Sequence, residues 1–219
     1  MTKPRTIYTI TFILIALILL LTAGYYLFFK RILADSIYGP EVSQIAKQID
    51  LNNDGTNEAL ILSNHRKNSE NRFFLDYKTK RENSRLELTG FESSASFCSD
   101  PTPKINSQTR IICLTDFVGA HSQNIELVNL INNQLAAINF LKEGSKSINI
   151  YSDAPNFGFK DLNRDGNLVF YLDDRNYDLD PTLDSWRSYY YFKDGEFIFD
   201  HAVSLKGGVE ALDQQGKIN

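Results

Sequence analysis

The longest run of apolar residues in the chain lies close to its N-terminus. No charged residue occurs from Thr6 to Phe29, and most residues between them are Ile, Leu or aromatic. A helix rises about 1.5 Å per residue, so these 24 positions would extend over roughly 36 Å, more than a hydrocarbon layer of about 30 Å. We predict a transmembrane helix at residues 6–29, within an N-terminal tail and anchor that covers residues 1–31.

A cleaved signal peptide is the alternative interpretation of this segment. The small residues Ala23 and Gly24 offer a cleavage site, but apolar residues continue to Phe29, ahead of the basic pair Lys30 and Arg31. The length of the apolar run favours an uncleaved anchor. Basic residues flank both ends of the run, so charge alone does not orient the helix; the calcium loops and cysteines described below favour a cytoplasmic N-terminus.

Beyond the anchor, short apolar and aromatic runs alternate with polar turns. This pattern predicts a mostly β domain at residues 32–206, followed by a flexible tail at 207–219. Residues 39–49 fit a short helix or a strand equally well. The runs that we predict as strands are 59–63, 72–77, 85–88, 111–117, 125–131, 134–141, 168–172, 187–192 and 196–199.

The predicted strands fall into three similar units. Hairpin turns near residues 81, 133 and 195 divide the domain into units of about 50 to 60 residues with about four strands each, which is the size of a propeller blade. A closed propeller usually needs at least four blades. We therefore expect an antiparallel β domain of about three blade-like units, arranged as a partial propeller or a sandwich-like stack.

Residues 50–58, the first loop, form the string most indicative of chemistry. Side chains with oxygen occupy its first, third and fifth positions, Gly55 permits a sharp turn at the sixth, and an acid stands at the ninth. Calcium binds six to eight oxygen atoms, several of them from carboxylates. Ile61 stands where an EF-hand needs its bidentate Glu, so this is not an EF-hand. The predicted ligands are Asp50, Asn52, Asp54, Thr56 and Glu58.

Residues 161–169, the second loop, repeat the core of the first loop. The ninth position is Val169 rather than an acid, which leaves two carboxylates unless Asp173 or Asp174 folds back. We therefore expect weaker calcium binding here. For both loops the alternative is a polar turn, because Asp, Asn and Gly are common turn residues. The predicted ligands are Asp161, Asn163, Asp165 and Asn167.

The two loops resemble the calcium loops of FG-GAP or VCBS repeats, which build integrin-α-type propellers. Phe157 and Gly158, just before the second loop, fit the opening of such a repeat. The resemblance implies that the Asp and Asn side chains bind calcium, and that the module serves adhesion or ligand binding at a cell surface. The chain departs from the family pattern in its small number of repeats, in lacking a Gly-Ala-Pro string, and in carrying Asn53 and Arg164 where Gly is usual.

The chain contains two cysteines, Cys98 and Cys113, fifteen positions apart. Their spacing suits a disulfide that closes a polar loop, which would place the domain in an oxidising compartment. Two buried free thiols are the alternative. Together with the calcium loops, the disulfide interpretation predicts a single-pass membrane protein whose main domain is extracytoplasmic.

Charge and motif content limit the classes of function. Residues 32–219 contain 19 basic and 27 acidic residues, a formal charge of −8, which argues against binding nucleic acid. None of His65, His121 and His201 stands in a triad-like or metal-binding string. The sequence favours a membrane-anchored calcium-binding module for an unknown protein or glycan ligand over an enzyme. The alternatives are an extracytoplasmic hydrolase and an accessory subunit of a membrane complex.

Overall fold

In the computed structural model, the backbone is described for residues 4–52, 54–107, 109–118, 122–152, 156–174, 186–200 and 203–204. Side chains are not described for residues 4–14, 32, 34–36, 174 and 186 within these ranges. The predicted tail at 207–219 lies outside them. The described chain is mostly β, with antiparallel sheets and one N-terminal helix, so the predicted fold class is confirmed at this level.

Within the described ranges, the elements follow one another in a simple order, one helix and then fifteen strands. They are α1 (Pro4–Tyr38), β1 (Glu41–Ile49), β2 (Glu58–Lys67), β3 (Glu70–Lys78), β4 (Asn83–Leu88), β5 (Ser96–Phe97), β6 (Ile111–Phe117), β7 (Gln123–Ile131), β8 (Gln134–Ala137), β9 (Phe140–Lys142), β10 (Ser145–Ser147), β11 (Asn149–Ser152), β12 (Phe157–Lys160), β13 (Val169–Asp174), β14 (Trp186–Lys193) and β15 (Glu196–Phe199).

Helix α1 continues beyond residue 31, where we predicted the end of the anchor. It ends at Tyr38 and is followed by Gly39, whose φ of +86° is the left-handed conformation that commonly terminates a helix. Pro40 then directs the chain into β1, because proline cannot continue the helix. Residues 41–49 are thus a strand. Of the helix and the strand that the sequence allowed for this segment, the structure contains the strand.

No helix in the described part of the chain is long and apolar enough to cross a membrane. The side chains of residues 4–14 are not described, so the predicted transmembrane segment at 6–29 is described in full only from residue 15 onwards.

The described strands form three sheets. The first sheet is a meander of β1 to β4 in sequence order. The central sheet contains β5 to β8 in the same manner, with β11 added beside the first half of β7. The third sheet contains β12 to β15, extended by β9 and β10. Each sheet therefore contains four consecutive strands that form an antiparallel meander.

The prediction of one strand at residues 134–141 is wrong. The chain leaves the central sheet after β8, and β9 pairs in parallel with β15 of the third sheet. The N–H of Ile138 donates to the carbonyl of Leu127 at 2.7 Å at this crossing. Phe140 then packs against the rings of Tyr190 and Phe197. Burial of this aromatic side chain favours the switch of sheet.

The central sheet is buried on both faces. Ile112 and Leu114 of β6 pack in the core shared with the first sheet, whereas Ile111 and Cys113 pack in the core shared with the third sheet. Successive side chains of a strand point to opposite faces, so a strand between two cores is a continuous apolar run.

A disulfide joins Cys98 to Cys113, with their Cα atoms 5.4 Å apart. The N–H of Cys98 also donates to the carbonyl of Cys113 at 3.0 Å. Of the two alternatives for these cysteines, the structure contains the disulfide. It closes the segment that connects β5 to β6.

Glu126 is an acidic side chain inside the central sheet. It is 0% exposed and lies opposite Leu114 in the neighbouring strand, on the face that packs against the first sheet. Neither of its carboxylate oxygens has a hydrogen-bond partner among the described residues. Burial of the charged form is unfavourable and raises the pKa of Glu126 to about 7.

We predict that Glu126→Gln increases the free energy of unfolding at pH 8 by about 3 kcal/mol and changes it little at pH 4.5. An unfolded Glu ionises near its ordinary pKa of 4.5, whereas folded Glu126 ionises near 7. The stability that depends on a protonated Glu126 is therefore fully present below about pH 4.5. It is lost as the pH rises through about 7, where the folded side chain ionises. Urea unfolding at both pH values measures the effect.

Glu70→Gln, at an exposed position in β3, serves as the control and should leave the pH dependence unchanged. An identical pH dependence in the Glu126→Gln variant and the parent chain would contradict the prediction.

Candidate metal centre

The first loop connects the first two strands of the first sheet. Asp50 directly follows β1, and Glu58 is the first residue of β2. Ile49 and Glu58 are partners in the antiparallel pairing of these strands. The pairing holds the two ends of the loop side by side, so the residues between them must turn back sharply.

The carboxylate of Asp50 organises the backbone of the first loop. Its two oxygens accept hydrogen bonds from the N–H groups of Asp54 and Gly55, each at 3.0 Å. The side-chain oxygen of Asn52 also accepts from the Asp54 N–H, at 2.9 Å. Gly55 has a φ of +83°, a left-handed conformation that strains residues with a Cβ. The predicted ligands thus fold the loop that carries them.

Three carboxylates converge in the first loop. One oxygen from each of Asp50, Asp54 and Glu58 lies within 4.8 Å of the others. Glu58 is 3% exposed, and its Oε2 accepts a hydrogen bond from the N–H of Leu51 at 2.8 Å. Leu51 belongs to the core between the first and central sheets. This hydrogen bond therefore fixes the Glu58 carboxylate relative to the core.

Asp54 is the exposed member of the three carboxylates. The backbone N–H of Thr56 and the side-chain amide of Asn52 hold the pKa of Asp54 below its usual value. These two groups donate to Asp54 at 2.7 Å and 2.9 Å. The structure therefore brings the remaining predicted ligands, Asn52 and Thr56, into contact with the carboxylate cluster.

The donor set of the first loop suits a hard divalent cation. The three side chains offer oxygen donors with three negative charges, as calcium prefers. Without a cation, carboxylates at this distance repel one another. In the part of the chain that the structure describes, no other group of three acidic, His or Cys side chains comes this close together.

The second loop has the same backbone arrangement between β12 and β13. The two oxygens of Asp161 accept from the N–H groups of Asp165 and Gly166, at 3.2 Å and 2.9 Å. Asp165 accepts from the N–H of Asn167 at 2.9 Å, which lowers the pKa of Asp165. Gly166 has a φ of +80°. The shared sequence core therefore produces the same turn.

The second loop lacks a third carboxylate among the described residues. Val169 begins β13 at the position that Glu58 occupies in the first loop, and Asn163 is exposed at the third position. Asp173 forms an ion pair with Arg187, with 2.6 Å between Oδ1 and Nε, and accepts a hydrogen bond from Asn156. These partners hold the Asp173 carboxylate within the third sheet, so Asp173 does not supply the missing acid. The side chain of Asp174 is outside the described residues.

A cleft of about 520 Å³ lies beside the first loop. It is bordered by the first loop, by residues 79–82 between β3 and β4, and by Tyr77 and Asn133. Tyr77 is 0% exposed, and its hydroxyl has no hydrogen-bond partner among the described residues. Burial raises the pKa of Tyr77, and the nearby carboxylates of Glu58, Glu82 and Asp54 raise it further.

Sequence reasoning missed the cleft. Tyr77 lies in an aromatic run of a hairpin, a pattern that indicates core packing, and its ring does pack in the core. The polar residues that follow it in the turn at 79–82 were the available sign of a nearby polar surface. The position of Asn133 beside this turn and the first loop depends on the packing of two sheets.

The histidines do not form a catalytic group in the described structure. His65 is buried, its Nδ1 lies 3.0 Å from the carbonyl oxygen of Gly39, and its ring packs against Tyr38 and Phe74. His121 and His201 are outside the described residues. The described residues therefore contain no histidine-based catalytic group that would support the hydrolase hypothesis.

Comparisons with protein-family models, with curated proteins and with solved structures find no match to this chain. The resemblance to FG-GAP or VCBS repeats therefore rests on the residues of the two loops and stays a prediction. What the structure contributes is the equivalent position of the loops, each between the first and second strands of a four-stranded meander.

Proposed function

We propose that the chain is a membrane-anchored, extracytoplasmic module that binds calcium at the first loop and presents a β domain to a protein or glycan ligand. The convergence of Asp50, Asp54 and Glu58 carries this proposal. Among the described residues, no comparable group of side chains supports the alternatives, which are a hydrolase and an accessory subunit of a membrane complex.

Calcium suits the first loop better than zinc or a redox metal. The carboxylate oxygens of Asp50, Asp54 and Glu58 are hard donors, whereas zinc and copper favour His and Cys. A bound ion would connect the exposed Asp54 to the buried Glu58, whose position depends on Leu51 in the core. Calcium would thus stiffen the connection between β1 and β2.

The three meanders support a blade-like organisation. The first and third meanders have the same order of strand, loop and three further strands. In the central meander, the segment closed by the Cys98–Cys113 disulfide takes the place of the loop. A partial propeller or a sandwich-like stack of three units agrees with this arrangement, and with the resemblance of both loops to FG-GAP or VCBS repeats.

The exposed surface of α1 supports a membrane anchor. Leu19, Leu20 and Leu21 are 63%, 72% and 65% exposed. Consecutive helical residues point about 100° apart, so apolar side chains face outwards in several directions. A helix that is apolar all round belongs in a protein core or a bilayer. The proposed membrane-spanning segment consists of this part of α1 together with residues 6–14, which belong to the same uncharged run.

The end of α1 is attached to the outer face of the first sheet. The ring of Tyr38 lies 5.0 Å from that of Phe74, and Lys67 Nζ donates to the carbonyl of Ile37 at 2.8 Å. A membrane-inserted α1 would therefore hold the first sheet near the bilayer. With the N-terminus in the cytoplasm, the Cys98–Cys113 disulfide would lie in an oxidising compartment, where disulfides persist.

Calcium is expected to raise the melting temperature of the full chain in detergent micelles, because it neutralises three clustered carboxylates of the folded state. Asp50→Ala/Asp54→Ala should abolish most of this increase. Calorimetric calcium titration and thermal melts check both statements.

Asp161→Ala/Asp165→Ala is the matched control, because it removes the same two positions from the second loop. This variant should keep the main calcium-dependent increase. Equal losses in both double variants, or an unchanged response in Asp50→Ala/Asp54→Ala, would contradict the assignment of the site.

Val169→Glu is expected to add calcium binding at the second loop. It places an acid where Glu58 stands in the first loop, and Val169 is only half-buried, so the longer side chain has room to reach outwards. The measurement uses the Asp50→Ala/Asp54→Ala variant, in which calcium binding at the first loop is expected to be lost. Calorimetry should show at least tenfold tighter calcium binding when Val169→Glu is added to this variant. Val169→Gln, which adds length without charge, is the control and should show no such gain.

The full chain is expected to remain with membranes after extraction at alkaline pH. Leu17→Arg/Leu20→Arg should release most of it, because each Arg at the centre of a span costs about 2.5–3.5 kcal/mol on insertion scales. Val42→Arg/Ile45→Arg, at exposed apolar positions of β1, is the control and should stay with the membrane. Release of the unaltered chain would refute the anchor.

A further inference from the structure

The cleft beside the first loop offers hydrogen-bonding groups as well as apolar surface. Small-ligand pockets of about 300–1,000 Å³ are mostly apolar. Every side chain that borders this cleft of about 520 Å³ carries a polar group. A ligand that fits such a lining must itself carry many hydrogen-bonding groups, as a sugar does.

The hydroxyl of Tyr77 is a donor without an acceptor in the described structure. The side chain is fully buried, yet it borders the cleft beside Glu58. A tyrosine phenol, whose ordinary pKa is about 10, is protonated at neutral pH and can donate. A buried donor that makes no hydrogen bond is unfavourable, so an acceptor oxygen supplied by a ligand would satisfy it.

Lys80, Arg81 and a calcium ion at the first loop would together favour a carboxylate as that acceptor, although three acidic side chains, Asp54, Glu58 and Glu82, also border the cleft. Lys80 and Arg81 border it from the turn between β3 and β4. Asp54 and Glu58, two of the three proposed calcium ligands, border it from the other side. A calcium ion held by them would adjoin the cleft, and calcium accepts additional oxygen ligands beyond three carboxylates.

We infer that the cleft binds a uronic acid residue of a glycan, with the sugar carboxylate accepting from Tyr77 and completing the coordination of the calcium ion. Lys80 and Arg81 balance the charge of the sugar acid, and the amide and hydroxyl side chains of the lining bind its hydroxyl groups. This inference rests on the proposed calcium site at the first loop and adds the class of ligand to it.

The experiment uses the full chain in detergent micelles with calcium present at a concentration that its own titration shows to be saturating. The probe is methyl α-D-galacturonide, and the control ligand is methyl α-D-galactoside, which lacks the carboxylate. We expect binding of the galacturonide, at least tenfold weaker binding of the galactoside, and loss of galacturonide binding after chelation of calcium.

Tyr77→Phe removes the hydroxyl and keeps the ring in the core. It should weaken galacturonide binding about tenfold, as expected for a hydrogen bond to a charged group, while the calcium-dependent rise in melting temperature persists. Tyr191→Phe, an exposed Tyr on β14, is the control and should bind as the parent chain does.

The outcomes separate the two proposals. Calcium binding without selective galacturonide binding, or with full binding by Tyr77→Phe, overturns the inference and leaves the calcium site standing. Tighter binding of N-acetyl-aspartyl amide than of the galacturonide also overturns it, in favour of an acidic peptide. Absence of calcium binding overturns the proposed function and the inference together.

Discussion

The alternation of β6 and β7 side chains between two cores is the constraint on which the domain depends. Ile112 and Leu114 bind the first sheet to the central sheet, and Ile111 and Cys113 bind the third. Both faces of the central sheet are therefore apolar, and a charged group there, such as Glu126, is destabilising when ionised. Polar chemistry is left to the ends of the strands, where both loops and the cleft lie.

The two loops show how one residue changes the chemistry of a shared turn. In both, the first Asp accepts two backbone N–H groups and a left-handed Gly follows. Local hydrogen bonds are enough for this turn, since neither loop needs a metal to explain its backbone. What differs is the first residue of the following strand. Glu58 adds a third carboxylate, fixed by the N–H of Leu51, whereas Val169 adds none.

Most strands and both turns could be predicted from sequence because their causes are local: apolar alternation and Asp, Asn and Gly at fixed positions. The crossing after Ala137 could not, because it depends on the packing of Phe140 against rings of the third sheet. The pairing of Asp173 with Arg187 likewise joins residues of different strands. Tyr77 was hidden for a related reason, since its side chain packs in the core and also borders the cleft.

The connection between the first and second strands is the place where two of the three meanders have groups that can form a cross-link. A strand pair with a long connection loses conformational entropy on folding, and a cross-link reduces that loss. The central meander has a covalent cross-link there, Cys98–Cys113, and the first has three carboxylates that a cation would join. Disulfides persist in oxidising compartments, and extracellular calcium modules need only modest affinity. The proposed location outside the cytoplasm is thus an environment in which both cross-links would form.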